Sequence, residues 1–304
     1  MDGAEYFGAL RDALLMAERQ VYILGWDIHS KMLLVGPSGR SDDGLPIELG
    51  TFLRRLLKIK PALQINILSW DFAALYAVER EWDSFDRFTD GSDGRIQFCL
   101  DSSLPIGSSQ HQKIVAIDNA IAFVGGLDLT IRRWDTCEHF AKHPLRHDPN
   151  GKAYPPFHDV QCMVEGDAAV AIGKIASARW TAAGFTSKEF KAVEGNRWPA
   201  SVPAEATQIR AGIARTELRT GSQYGIDEAA QLFKASIATA NRLIYIENQF
   251  VSAIEIAHAL VHRMADVPSL RVLIVTPKTP SSWLELQAMQ GGGARRLHPF
   301  VRRG

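Results

Sequence analysis

Two stretches of this chain repeat one pattern. ALRDALLMAERQVYIL (9–24) and LFKASIATANRLIYIE (232–247) align on Tyr22 and Tyr245, which pairs Ala17 with Ala240, Arg19 with Arg242 and Ile23 with Ile246. Each reads as an amphipathic helix, a short turn and a strand. Further on, LQINILSW (63–70) and LRVLIVTP (270–277) match as the next strand of each copy. A duplicated αβαβ unit restricts the chain to an α/β fold: a mixed sheet flanked by helices, in two related lobes. The expected first lobe is 1–193, EGNRWPASVPAEA (194–206) reads as a linker, and 207–304 is an incomplete second lobe.

Within the first lobe, helical spacing predicts helices over 4–18, 47–59, 72–82 and 168–183. Strands are expected at 21–27, 63–70 and 95–101, and KIVAI (113–117) with AIAFVGG (120–126) reads as a hairpin about Asp118-Asn119. Residues 132–157 read as a loop rich in His, Pro and charge.

Composition narrows the function classes. The 304 residues carry 34 basic and 34 acidic side chains, a balance that argues against a dedicated nucleic-acid binder. No apolar run approaches the ~20 residues of a membrane span, and the first residues lack a basic signal-peptide region. Cys99, Cys137 and Cys162 are too few and too scattered for a disulfide framework, so free thiols in a reducing compartment are expected.

The chemistry concentrates in SSQHQKIVAIDN (108–119), which places His111, Lys113 and Asp118 at H-x-K-x-x-x-x-D on an otherwise apolar strand. Residues two apart on a strand share a face, so His111 and Lys113 point the same way. An ammonium beside an imidazole suits a phosphate: the Lys neutralises its oxygens and a neutral His can attack phosphorus. Asp118, at the turn, is placed to accept backbone N–H groups. Gly125 and Gly126 on the partner strand let backbone or substrate approach closely. Trp26-Asp27 and Trp70-Asp71 each end a strand, where ligand crevices form in α/β sheets. His139, His143 and His147 share a loop with Lys142 and Arg146, which favours a phosphate rim over a cation site. His258 and His262 have helical zinc spacing but no accompanying glutamate or third ligand, and read as a solvated face.

The run SSQHQKIVAIDNAIAFVGGLDLTIRRWDT, with RRWDTCEH (132–139), PPFHDVQCMVEG (155–166) and LIYIENQF (243–250), resembles the phospholipase D superfamily, specifically its phosphatidylcholine-type branch. The resemblance implies two αβαβ lobes, each giving one motif to a single site, and a two-step phosphodiester exchange through a phosphohistidine, with no metal or other cofactor. It implies His111 as nucleophile or its acid partner, Lys113 as the phosphate grip, Asp118 as mainly structural and Asp159 as the carboxylate that orients His111. Gly125, Gly126, Asp128, Arg133, Trp134, Asp135, His139, Glu247, Asn248 and Gln249 are the expected substrate-binding residues; Asp128 stands where smaller superfamily members often have Asn. The implied partners are a phospholipid, a water or alcohol acceptor and a peripheral membrane surface, which places the protein in the cytoplasm or at the inner membrane surface. The family's second H-x-K-x-x-x-x-D is absent from the sequence; carrying the Trp70-to-His111 spacing over to Pro277 places it at about residue 318. The start, MDGAEYF, and the tail, GGGARRLHPFVRRG, read together as truncation. Two rival readings are a one-motif nuclease completed by homodimerisation, and a non-catalytic remnant.

Overall fold

The structure, a computed structural model, describes residues 1–71, 81, 83–104, 108–187, 192–218, 225–249 and 253–277. The expected helix over 72–82 lies almost entirely outside them. The chain divides into two compact units, Met1–Ala211 and Gly212–Gly304.

The first unit runs α1 (Gly3–Met16), β1 (Gln20–Gly25), α2 (Leu49–Ile59), β2 (Gln64–Trp70), α3 (Ser84–Thr89), β3 (Ile96–Asp101), β4 (Lys113–Ile117), β5 (Ile121–Gly125), β6 (Gln161–Glu165) and α4 (Asp167–Ala182). Its sheet has the order β3-β2-β1-β4-β5-β6. β1, β2 and β3 are parallel; β4, β5 and β6 each run antiparallel to their predecessor in that order.

Both faces of the sheet are covered, and the period of two assigns each strand residue to one of them. Val21, Ile23, Ile65, Ile67, Val115 and Phe123 pack against α1 and α2. The α2 side chains that reach this core, Leu49, Phe52, Leu53, Leu56 and Leu57, recur at helical spacing on one face. Tyr22, Leu24, Leu68, Ile114 and Ala116 face the other way, onto Ala169, Ile172, Ala176 and Trp180 of α4. The segment read as a linker is docked rather than free: the Trp198 ring packs partly buried against the first core, and Arg197 donates to the Met16 carbonyl at 3.3 Å.

The second unit holds β7 (Thr216–Glu217) paired with β8 (Ile226–Asp227), then α5 (Glu228–Thr239), β9 (Leu243–Glu247), α6 (Ile254–Asp266) and β10 (Arg271–Val275). β9 and β10 are parallel. The two copies of the repeat match in detail. Ala17 ends α1 by donating to Leu14 O, and Ala240 ends α5 by donating to Ile237 O. Gln64 N donates to Arg19 O at 2.9 Å, and Arg271 N to Arg242 O at 3.0 Å. The register Gln20↔Gln64 in the first unit recurs as Leu243↔Arg271 in the second.

Candidate active site

β4 runs antiparallel to β1, so the first residues of β4 lie beside the last of β1: Ile114 faces Leu24. The H-x-K motif therefore opens at the carboxyl edge of the parallel strands, the edge at which α/β sheets bind ligands. Lys113 is the first residue of β4 and is buried. Its Nζ lies 2.8 Å from Asp128 Oδ2, 3.3 Å from the His111 carbonyl and 3.4 Å from His111 Nδ1. Asp128 is buried too, and its other oxygen accepts the Trp26 N–H at 2.8 Å. The ammonium is thus charge-balanced and fixed, with the imidazole beside it.

His111 is exposed at the mouth. Crowding of its ring by surrounding atoms, reinforced by the Lys113 charge, holds its pKa below the ordinary histidine value, against the opposing pull of Asp128 and Asp159. A neutral imidazole with a free lone pair is the form a nucleophile needs. Asp159 arrives on the segment before β6 and is half-buried. Burial raises its pKa, opposed by its bond from the Val160 N–H and the charge of Lys113. Its approach depends on a missing side chain: a Cβ on Gly126 would lie 2.0 Å from Asp159 Oδ1.

Of the two close approaches expected at the glycines, by backbone or by substrate, protein atoms make the ones seen here. At Gly125 a Cβ would meet Val160 O at 2.2 Å and Gln161 Oε1 at 2.4 Å. Backbone and the Asp159 carboxylate occupy the space that the glycines leave open.

Asp118 is not brought to the site. It sits at the opposite end of β4, about 17 Å from Lys113 at the usual strand rise. Its carboxylate accepts the N–H groups of Glu18, Arg19 and Gln20 at 2.7–2.8 Å, which staples the α1–β1 turn. Asp118 and Asn119 both have positive φ, 55° and 51°, as a two-residue type I′ hairpin turn demands.

The RRWDT stretch is also more structural than its reading as a substrate rim. Arg133 lays its guanidinium over the Phe157 ring at 4.7 Å. Trp134 is buried and donates to the Val35 carbonyl at 3.2 Å. Asp135 is fully buried and accepts from Arg146 Nη1 at 2.8 and 3.0 Å, from the Phe157 N–H at 2.9 Å and from the Thr136 N–H at 3.0 Å. Burial pulls the Asp135 pKa up, but these donors and His139 outweigh it and leave the carboxyl below its usual range. The loop 132–157 is held by Arg146, which also donates to the carbonyls of Phe140, Ala141 and Tyr154.

His139 does not join His143 and His147. Its Nδ1 lies 3.3 Å from Asp135, and its Nε2 lies 3.0 Å from His158 Nδ1 and 2.9 Å from Asp2 Oδ2. Asp2, His139 and His158 bring one ligand atom each within 4.8 Å of one another, a donor set of two imidazoles and a carboxylate that suits a divalent cation. Asp2 had no sequence signal. It reaches the cluster because α1 docks on the loop, with Ala4 N donating to Asp135 O at 2.8 Å. His158 stands next to Asp159 in PPFHDV, and that adjacency was its only cue.

Glu247, Asn248 and Gln249 lie at the carboxyl end of β9 in the second unit, the positions that match Leu24, Gly25 and Trp26 of the first. Asn248 N donates to Val275 O at 3.1 Å, and the Tyr245 hydroxyl donates to Glu247.

A buried lysine held by a carboxylate lies beside an accessible histidine at the carboxyl edge of a mixed sheet on an α/β fold. The chain belongs to the phospholipase D family, whose model matches residues 13–262. It is similar to phospholipase D alpha 2 of Arabidopsis thaliana (26% identical, over 79% of this chain and 38% of that protein). Phospholipase D alpha 1 of Nicotiana tabacum is also 26% identical, over 56% of this chain and 27% of that protein. The chain spans well under half the length of these relatives. Its fold resembles that of phosphatidylserine synthase from Haemophilus influenzae Rd KW20, with a TM-score of 0.56 at 11% identity, over 99% of this chain and 68% of that one. Among the described residues, no helix is long and apolar enough to cross a membrane.

Proposed function

We propose that this chain carries one half of the catalytic machinery of a phospholipase D-type phosphodiesterase and transphosphatidylase that exchanges phospholipid headgroups. The observation that carries the reading is the Lys113–Asp128 pair at 2.8 Å, with His111 Nδ1 3.4 Å from the same ammonium. The relatives named phospholipase D support a lipid phosphodiester over other diesters.

In this scheme Lys113 draws in the non-bridging phosphate oxygens and neutralises the charge that builds on them. A neutral His111 nitrogen attacks phosphorus; the P–N bond forms as the bond to the headgroup oxygen breaks. The departing oxygen takes a proton from a general acid, for which the family resemblance suggests the histidine of a second motif. That histidine, now a base, removes a proton from water or an alcohol, which attacks the phosphohistidine and frees His111. Asp159 supports the positive charge that His111 gains on attack. Membrane contact in this scheme is peripheral, through loops.

The test is phosphatidylethanol formation from phosphatidylcholine vesicles and ethanol, read by mass spectrometry. Product from the wild type and none from His111→Ala supports the reading. Equal product from both sinks it. The single H-x-K-x-x-x-x-D motif in the sequence favours one further reading, in which two copies of the chain pair so that two His111 side chains share one diester. A dimer in solution, with activity that falls on dilution, would separate that arrangement from a second motif elsewhere in a longer protein.

A further inference from the structure

Two residues beyond Asp128, the chain turns from Lys113 to a cleft of about 100 Å3 in the first unit. Thr130, Ile131 and Trp134 form one wall, and Phe7 of α1 with Met32 and Val35 lies across from them. Leu145 and Tyr154, from the loop 132–157, close the far side.

Most polar side chains around this cleft are paired, and His147 adds an imidazole to its lining. The Trp134 indole N–H donates to Val35 O at 3.2 Å, and the Tyr154 hydroxyl donates to Trp134 O at 2.8 Å. Thr130 Oγ1 donates to Asp27 at 2.5 Å, and Arg132 is matched by Asp148 at 2.8 Å. What these groups leave for a ligand is mostly hydrocarbon, with ion-paired groups at the edge.

The rim points to the occupant. Leu145 is 46% exposed, and Phe140, whose carbonyl accepts from neighbouring Arg146, is 61% exposed. Lys142 stands exposed between them in the chain. Large apolar side chains held in water beside an apolar cleft, with a cation among them, complement an amphiphile whose head is anionic or zwitterionic.

We propose that this cleft seats one acyl chain of the phospholipid whose phosphate is bound at His111 and Lys113, an inference that rests on the lipid reading of that site. The segment 128–134 serves both: Asp128 holds the lysine at one end, and Ile131 and Trp134 meet the chain at the other.

The test is calorimetric titration of the full chain with n-alkylphosphocholines of about four to ten carbons, each below its micelle threshold. Wild type is compared with Leu145→Asp, an exposed position, and Leu33→Trp, which fills the cleft from a half-buried one. Affinity should rise about fourfold per added methylene, and the rise should be lost in both variants while their circular dichroism stays that of the wild type. A flat series in the wild type, or a slope that both variants retain, overturns the proposal. Phosphatidylethanol formation by the same preparations separates the two readings. Headgroup exchange with a flat series sinks the cleft alone. A steep series lost in the variants, without exchange, keeps the cleft and counts against catalysis by this chain.

Discussion

Lys113 Nζ lies 2.8 Å from Asp128 Oδ2, and each side chain is about 5% exposed. The pair joins the first residue of β4 to the segment after β5, so one contact sets both the charge of the site and its position. An exposed pair of this kind would contribute little, but a buried one leaves an uncompensated charge when either partner is removed.

Asp128→Ala should therefore destabilise the first unit by about 3–5 kcal/mol. Asp128→Asn should cost less, because an amide oxygen still accepts the Trp26 N–H. Urea unfolding followed by tryptophan fluorescence checks this; a midpoint unchanged in Asp128→Ala would show that the pair does not hold the site together.

Asp118→Ala should behave differently. It leaves the N–H groups of Glu18, Arg19 and Gln20 without their acceptor, for a loss of about 1–3 kcal/mol. Because Asp118 sits at the far end of β4, phosphate affinity at His111 and Lys113 should not change. A lowered melting temperature with an unaltered phosphate titration is the expected pair of results.

His111 should titrate below the ordinary histidine value of about 6.5. A histidine whose folded pKa is lowered binds fewer protons folded than unfolded in the window between the two values. Its contribution is fully favourable above about pH 6.5 and declines as pH falls through that window to the lowered folded value. NMR titration of the His111 ring should give a midpoint below 6.5, and the nucleophilic limb of the pH–rate profile should follow it. A midpoint above 6.5 would mean that Asp128 and Asp159 outweigh Lys113 and crowding.

Gly126→Ala should displace Asp159, since the new Cβ would lie 2.0 Å from its Oδ1. Loss of that carboxylate removes one of the charges that raise the His111 pKa, so the His111 midpoint should fall further. Turnover should drop together with it. A variant that slows the reaction while the His111 titration stays put would place the effect on backbone geometry rather than on Asp159.

Local pattern was enough for most of the elements. The apolar runs on either side of Asp118-Asn119 read as a hairpin, and both residues take the positive φ that such a turn needs. The spacing of Leu49, Phe52, Leu53, Leu56 and Leu57 marked α2, and the repeat about Tyr22 and Tyr245 reappears as matching caps and register. The family resemblance, carried by short motifs, placed the chemistry at His111 and Lys113. The roles around them were less legible. Gly125 and Gly126 read as room for backbone or substrate, and the positions of Asp159 and Val160 show which protein atoms come close. Asp135 reads as a polar residue at a mouth, until Arg146 and the Phe157 N–H are seen to enclose it.

The sequence by itself determined most of the strands and helices of the first unit, the repeat and the candidate pair His111 and Lys113, because hydrophobic period, turn residues and motif spacing act over a few neighbours along the chain. Only the tertiary structure decided which groups meet that pair. Asp128 reaches Lys113, Asp159 reaches Gly126, and Asp2 reaches His139 and His158 through the order of strands in one sheet and the docking of α1 on a distant loop. Those contacts depend on which elements pack side by side, and chain-local forces carry no record of that choice.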